Sequence, residues 1–193
     1  DLQQYAEQWS AAQFGEKYAK DIADIISKYT KYNGRRKPEL LDDKTYSFNY
    51  EEWERVTNEY KLLYRKVFAI EHLLPSSYYD AYYQLVEHPV KACENLYRMY
   101  FAVAQNKMYA KLYDTLANQY ADEVRKCYHR DSLITLLYHQ LNKGKWNHMM
   151  DQTHIGYTYW QQALYNKMPE VKYISVDSVL PPFVDSSTII VQN

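Results

Sequence analysis

Apolar residues recur at three- and four-residue intervals through nearly all of the first 170 positions of this 193-residue chain, a period that commits it to packed helices. Leu2, Tyr5, Ala6 and Trp9 set a first stripe closed near Gly15. Tyr18, Ile22, Ile25, Ile26 and Tyr29 set a second, closed at Asn33-Gly34, where a terminating glycine is expected. A loop with Pro38, Asp42 and Asp43 follows over 35–47. The third helix spans about Tyr50 to Leu74, with Trp53, Val56, Tyr60, Leu63, Tyr64, Val67 and Ile70 inward. Pro75 interrupts it, and Ser76 or Ser77 is the expected N-cap of a fourth helix from about Tyr78. Pro89 lacks a backbone donor and predicts a kink or break, after which Leu96, Met99, Tyr100 and Val103 resume the pattern. A break is expected near Gln105-Asn106. The stretch from Met108 to His129 then turns Leu112, Leu116, Tyr120 and Val124 inward. A last short helix, Leu133–Leu141, is capped by Asp131 or Ser132 and closed by Asn142 and Gly144.

After Trp160 the character changes. Tyr173, Ile174, Val176, Val179 and the run 187–192 are β-type. The expectation is an all-α multi-helix bundle over residues 1–170, with a short β-type tail over 171–193 that begins a following β-rich domain. Because Asp1 falls inside a helical pattern, the chain reads as cut from a longer one.

A chain of this length hides roughly 70% of its extended surface, so its core requires neither a metal nor a disulfide staple. Cys93 and Cys127 fall on separate predicted helices and make no disulfide framework. A net charge of −1 gives no bulk attraction to nucleic acid or an anionic membrane, and no apolar run is long enough to span a bilayer. Tyrosine is the outlier, 23 against 5 Phe. Its ring with a wet tip either replaces Phe and Leu in the core or lines surfaces that meet water and polar ligands.

Chemistry concentrates in Lys145–Trp160, read KWNHMMDQTHIGYTYW, which crowds Trp, His, Tyr and amide groups with almost no aliphatic residue. Polar tips are costly to bury without partners, so this is not the composition of a plain core. His148 and His154 are six apart and diverge by about 120° on a helix, so no zinc pair is expected. A hydrogen-bonded role, with Asp151 orienting one His, is the simpler reading. No nucleophile elbow or phosphate loop occurs, and Asp151 is the one carboxylate in the segment, which is not a catalytic pair. No catalytic residue, metal or cofactor is assigned. Trp146, Tyr157, Tyr159 and Trp160 divide between interdomain packing and sugar contact. A second cluster, KYNGRRKPELL from Lys31, sets Arg35 and Arg36 beside a turn. They either solvate a helix end or fork onto a carboxylate of another domain or of an acidic ligand.

The run KWNHMMDQTHIGYTYWQQ (Lys145–Gln162) resembles a signature of glycoside hydrolase family 115, the xylan α-glucuronidases. KYTKYNGRRKPELLDDKTYS (Lys28–Ser47) is similar to a second signature, and YYQLVEHPVKACENL (Tyr82–Leu96) fits the helix between them. The resemblance spans Trp9 to Met168. It implies a helical bundle lying between a catalytic (β/α)8 barrel and a β-sandwich. The parent would be a secreted or periplasmic enzyme that removes α-1,2-linked glucuronic acid, or its 4-O-methyl form, from glucuronoxylan with inversion. The catalytic acid and base would belong to the barrel, so this chain alone would be inactive. Its partners would be those two domains and glucuronoxylan or its oligosaccharides, and a homodimeric parent is compatible. Asn33, Arg35, Arg36, Trp146, Asn147, His148, Asp151, His154, Tyr157, Tyr159 and Trp160 become the candidate substrate-binding or domain-interface residues. The alternatives are a free-standing helical protein-interaction module and a polysaccharide-binding domain.

Overall fold

The first helix, α1 (Leu2–Phe14), starts where the Asp1 carboxylate accepts from Gln3 N at 3.1 Å, and stops where Gly15 takes a φ of 84°. In the computed structural model, which describes residues 1–157 and 161–175, five further helices follow. They are α2 (Ala19–Asn33), α3 (Glu52–Glu71), the single turn α4 (Tyr79–Tyr82), α5 (His88–Lys111) and α6 (Leu116–Gly144). The architecture is an all-α multi-helix bundle, with no sheet among the described residues. Helix α5 is its axis, packed most extensively against α6 and then α3, while α1 lies on α2. Residues all round α5 are buried, among them Val90, Cys93, Leu96, Tyr97, Met99 and Tyr100, as a helix enclosed by others requires. The stripe on α3 is buried at Trp53, Val56, Tyr60, Leu63, Val67 and Ile70. Each of its aliphatic members stabilises the fold by roughly 1.5–3 kcal/mol.

Several expectations are corrected. On α1, Leu2 is 88% and Tyr5 66% exposed, and burial falls on Ser10 and Phe14 instead. Helix α2 ends at Asn33, but Gly34 keeps a right-handed φ of −67°, so no left-handed cap is used. Neither Ser76 nor Ser77 caps α4, whose N-cap Tyr78 has no side-chain bond. Before Pro89 the chain widens into a π turn, Tyr83–Glu87, and α5 then starts with the proline in its first turn. Widening accommodates the ring there without breaking the rod. No break occurs at Gln105-Asn106. Asn106 is fully buried and its amide bonds Ala117 O at 2.8 Å and Lys172 O at 2.7 Å. The break falls later, at Tyr113 (φ 53°), and Asp114 accepts from Leu116 N to start α6. Leu112 and Leu116 stay exposed, because the small Ala117 and Ala121 occupy the contact with α5.

The expected short helix Leu133–Leu141 does not begin at Asp131 or Ser132. Helix α6 runs straight through, and Asp131 sits on its buried face between Cys127 and Ile134. Its end is as expected, a left-handed run of Asn142, Lys143 and Gly144 at φ 46°, 58° and 81°.

In the tail, Lys172 and Ile174 each exchange two backbone bonds with a helix side chain. Asn106 Oδ1 accepts from Lys172 N at 2.9 Å, and Asn118 pairs with Ile174 N and O at 2.8 and 2.9 Å. Alternate residues are thus held by two amides standing in for a neighbouring strand, with Tyr173 OH donating to Asp122 between them. Val176, Val179 and the run 187–192 lie outside the described residues. Tyrosine is used heavily inside, with Tyr60, Tyr82, Tyr83, Tyr97, Tyr100 and Tyr138 all buried.

Candidate functional site

An open cleft of about 470 Å³ lies where the loop after α2, the start of α5, the middle of α6 and the segment after α6 meet. Pro38 and Glu39 form one edge, His88, Pro89 and Cys93 the wall from α5, and Asp131, Ile134 and Thr135 the wall from α6. Met149, Met150, Gln152, Thr153, His154 and Tyr157 close the far side. The far side has apolar anchors in the fully buried Ile155 and in Met150, which packs on Tyr83, Tyr138 and Leu141. Around them the bonds are polar. Asn166 Oδ1 accepts from His154 N (2.8 Å) and Ile155 N (3.0 Å), Thr153 Oγ donates to Ala163 O, and His139 Nε2 accepts from Met150 N at 3.1 Å. Gly156 takes a φ of 92° with Lys167 against it, where a Cβ would meet the Lys167 Cβ at 3.0 Å. The segment lacks aliphatics because hydrogen bonds, not an apolar stripe, dock it.

The strongest of these anchors is ionic. His154 Nε2 lies 2.9 Å from both oxygens of Asp131, which is 3% exposed, while Nδ1 faces Gln152 O at 3.1 Å. Burial alone would lower the His154 pKa. The bonds and charge of Asp131, with the Gln152 carbonyl, outweigh it and raise the pKa above the usual imidazole value. Both ring nitrogens face acceptors, an arrangement that favours the doubly protonated ring. His88, across the cleft, is the opposite case. Its Nδ1 is buried without a partner, and its ring packs 4.6 Å from that of Tyr138. Burial, aided by Lys91, pushes its pKa down to about 4, so it is neutral. Asp131 has both oxygens committed to His154, which makes it a positioning group, not a free acid or base.

The candidate residues do not gather in one place. His154 and Tyr157 line this cleft. Asn33 lies beside it, its Oδ1 4.0 Å from Cys93 Sγ. Arg35 and Arg36 line a different hollow of about 390 Å³ with Asp42, Lys44, Thr45 and Tyr46. There Arg35 pairs with Glu59 of α3 and stacks on Tyr32, and Arg36 Nε donates to Leu40 O. Trp146 turns inward onto Tyr83, Tyr138 and Leu141, with Lys145 over its ring at 4.9 Å. Asn147, His148 and Asp151 stand exposed. His148 Nδ1 lies 2.6 Å from Asp151 Oδ2, and His139 lies 3.5 Å from the other oxygen. Tyr159 and Trp160 lie outside the described residues. Among the described residues no group of three His, Cys, Asp or Glu is placed to hold a metal, and no helix is long and apolar enough to cross a membrane.

Asp131 and His88 escape sequence reasoning. The signal for Asp131 is present: Val124, Cys127, Ile134, Tyr138 and Leu141 hold a three-and-four spacing into which Asp131 fits, and an acid on an apolar face demands a partner. For His88 the neighbouring proline draws attention to the backbone and away from the ring.

The family model described as glycosyl hydrolase family 115 matches residues 1–40 of the chain. The match takes in α1, α2 and the first part of the Lys28–Ser47 stretch, and ends before the segments at 82–96 and 145–162. Comparison with curated proteins gives no match.

Proposed function

We propose that this chain is the helical domain of a xylan α-glucuronidase, and that the cleft between Glu39, His88 and His154 is the face it turns toward the catalytic barrel. One observation carries the reading. Three segments far apart in sequence, the first of them inside the matched residues 1–40, contribute walls to a single open cleft: Pro38 and Glu39, His88 to Leu96, and Met149 to Tyr157. A bundle that only packed against itself has no need to gather them at its surface. The partial family match to residues 1–40 supports the same reading.

The cleft's chemistry suits support, not bond breaking. Inversion at a glycosidic centre uses two carboxyls roughly 6.5–9.5 Å apart with a water between them, whereas Asp131 is fully engaged by His154. The bundle's part is therefore to hold a rim of rings and amides, Tyr157 and Gln152 among them, against the barrel and the edge of the sugar site. The barrel supplies the acid and base, and the 193-residue chain by itself releases no glucuronic acid. In the full-length enzyme, the combined substitution Glu39→Ala, Gln152→Ala and Tyr157→Ala is expected to lower kcat/KM for glucuronic acid release by about tenfold or more, ~1.4 kcal/mol of transition-state stabilisation. The exposed Lys126→Ala serves as control. Unchanged kcat/KM in the triple variant would overturn the proposal.

A further inference from the structure

Two carboxyl groups face each other at hydrogen-bond range where the chain passes from α3 toward α5. Glu71 is the last residue of α3, and Glu87 is the last residue of the π turn. Neither stands at a free surface: Glu87 is 2% exposed and the Glu71 side chain 16%. Lys91, one turn further along, donates its Nζ to Glu87 Oε1 at 3.0 Å and lies 5.1 Å over the Tyr83 ring. The other oxygen, Glu87 Oε2, is buried and meets no donor. An anionic oxygen left without a donor, beside a second carboxylate, is costly to bury. One proton set between the two groups removes both faults. It gives the orphaned oxygen a hydrogen bond and cancels one of two like charges.

The other polar groups around the pair supply no substitute. From α3, His72 Nδ1 lies 3.9 Å from Glu71 Oε2, but the same nitrogen meets Phe68 O at 2.8 Å. From α4, Tyr82 commits its hydroxyl to Val67 O at 3.0 Å. Tyr79 is partly exposed, and the neighbouring Asp80 adds negative charge to it. From the π turn, the Tyr83 hydroxyl is itself buried without a partner. From α5, Lys91 is already set on the far oxygen of Glu87.

We propose that Glu71 and Glu87 share one proton, and that this proton is a pH-sensitive latch tying the end of α3 to the π turn. While it is in place, the connection 72–82, which carries α4, is pinned at both ends. When it leaves, two anions face each other. Glu87 is held by Lys91 and by its burial, so Glu71 gives way. It ends its helix, and the turn after it borders a cavity of about 280 Å³ between Leu74, Pro75, Tyr79 and Tyr82 that admits water. The direction follows from linkage. Burial, with the charge and bond of Glu87, raises the Glu71 pKa above its ordinary value of 4.5. Its contribution is therefore fully present below about pH 4.5 and lost as the pH rises through the folded value. The latch holds in acid and opens toward alkaline pH, the reverse of a carboxylate fixed by a salt bridge.

Two measurements on the 193-residue chain test this. In a carboxyl-carbon NMR titration with labelled glutamate, the Glu71 signal is expected to titrate above the range of the exposed glutamates. Hydrogen exchange at about pH 5 and about pH 8, corrected for the intrinsic pH dependence of amide exchange, is expected to show residues 72–87 losing protection roughly threefold or more at the higher pH. Glu71→Gln keeps a donor for Glu87 and cannot ionise, so its 72–87 segment should stay protected at both pH values. His154 titrates in the same window, but it is present in both proteins and its effect cancels in the comparison. An ordinary Glu71 titration, equal protection of the native segment at both pH values, or an undiminished pH dependence in Glu71→Gln would each overturn the proposal. Protection at pH 8 restored by millimolar calcium or magnesium in the native chain but not in Glu71→Gln would make the pair a cation site and overturn the latch.

Discussion

Replacing His154 by alanine strips a buried carboxylate of its partner. Asp131 is 3% exposed and both its oxygens lie 2.9 Å from His154 Nε2. Removing one member of a buried pair costs about 3–5 kcal/mol, because the other is left charged and unpaired. His154 is 28% exposed, so water relieves part of this and the low end, about 3 kcal/mol, is expected at pH 7. For a chain of this size that lowers Tm by roughly 6–12 °C. The pH dependence separates this cause from simple loss of packing. In the native chain the folded His154 pKa lies above its unfolded value. Its contribution is therefore fully present below about pH 6.5 and lost as the pH rises through the raised value. Urea and thermal melts at pH 5 and pH 7 measure both, with His154→Gln, which keeps a donor, retaining part of the loss. A deficit under about 1 kcal/mol at pH 7 would refute the ion-pair reasoning.

Lowering the pH from about 6.5 to about 4 should destabilise the native chain through His88, whose folded pKa of about 4 lies below its unfolded value. The loss approaches roughly 3 kcal/mol, and denaturant melts of His88→Phe should show that slope removed. Asn106→Ala deletes the bonds to Ala117 and Lys172 and should cost about 2–4 kcal/mol. Hydrogen exchange should then show residues 171–175 released before the helices open. Gly156→Ala imposes a side chain at φ 92° against Lys167, and a loss of about 1–3 kcal/mol is expected in thermal melts.

The helical plan was legible because it rests on apolar periodicity. The α3 stripe from Trp53 to Ile70 is buried as its spacing requires, and Pro89 marks the disturbed turn before α5. What escaped depends on polar groups whose partners are distant in the chain. Asp131 reads as a cap when viewed locally and becomes a buried anchor only because His154 comes back to it. Asn106 reads as a break, yet keeps α5 whole because Ala117 and Lys172 satisfy its amide. The polar-aromatic run was recognisable as unusual, but its members face different ways. Trp146 turns into the core, His148 and Asp151 face water, and His154 and Tyr157 face the cleft. A segment docked through side-chain bonds has no period from which those directions can be read.

Oxidative footprinting of Met149 and Met150, both at the rim of the convergent cleft and the former 59% exposed, tests most directly whether that face meets another domain. If the chain is the helical domain of the proposed enzyme, both should be protected severalfold in the full-length protein compared with the 193-residue chain, while the exposed Leu133 and Leu136 of α6 keep their labelling. Equal oxidation of both methionines in the two proteins would contradict the account.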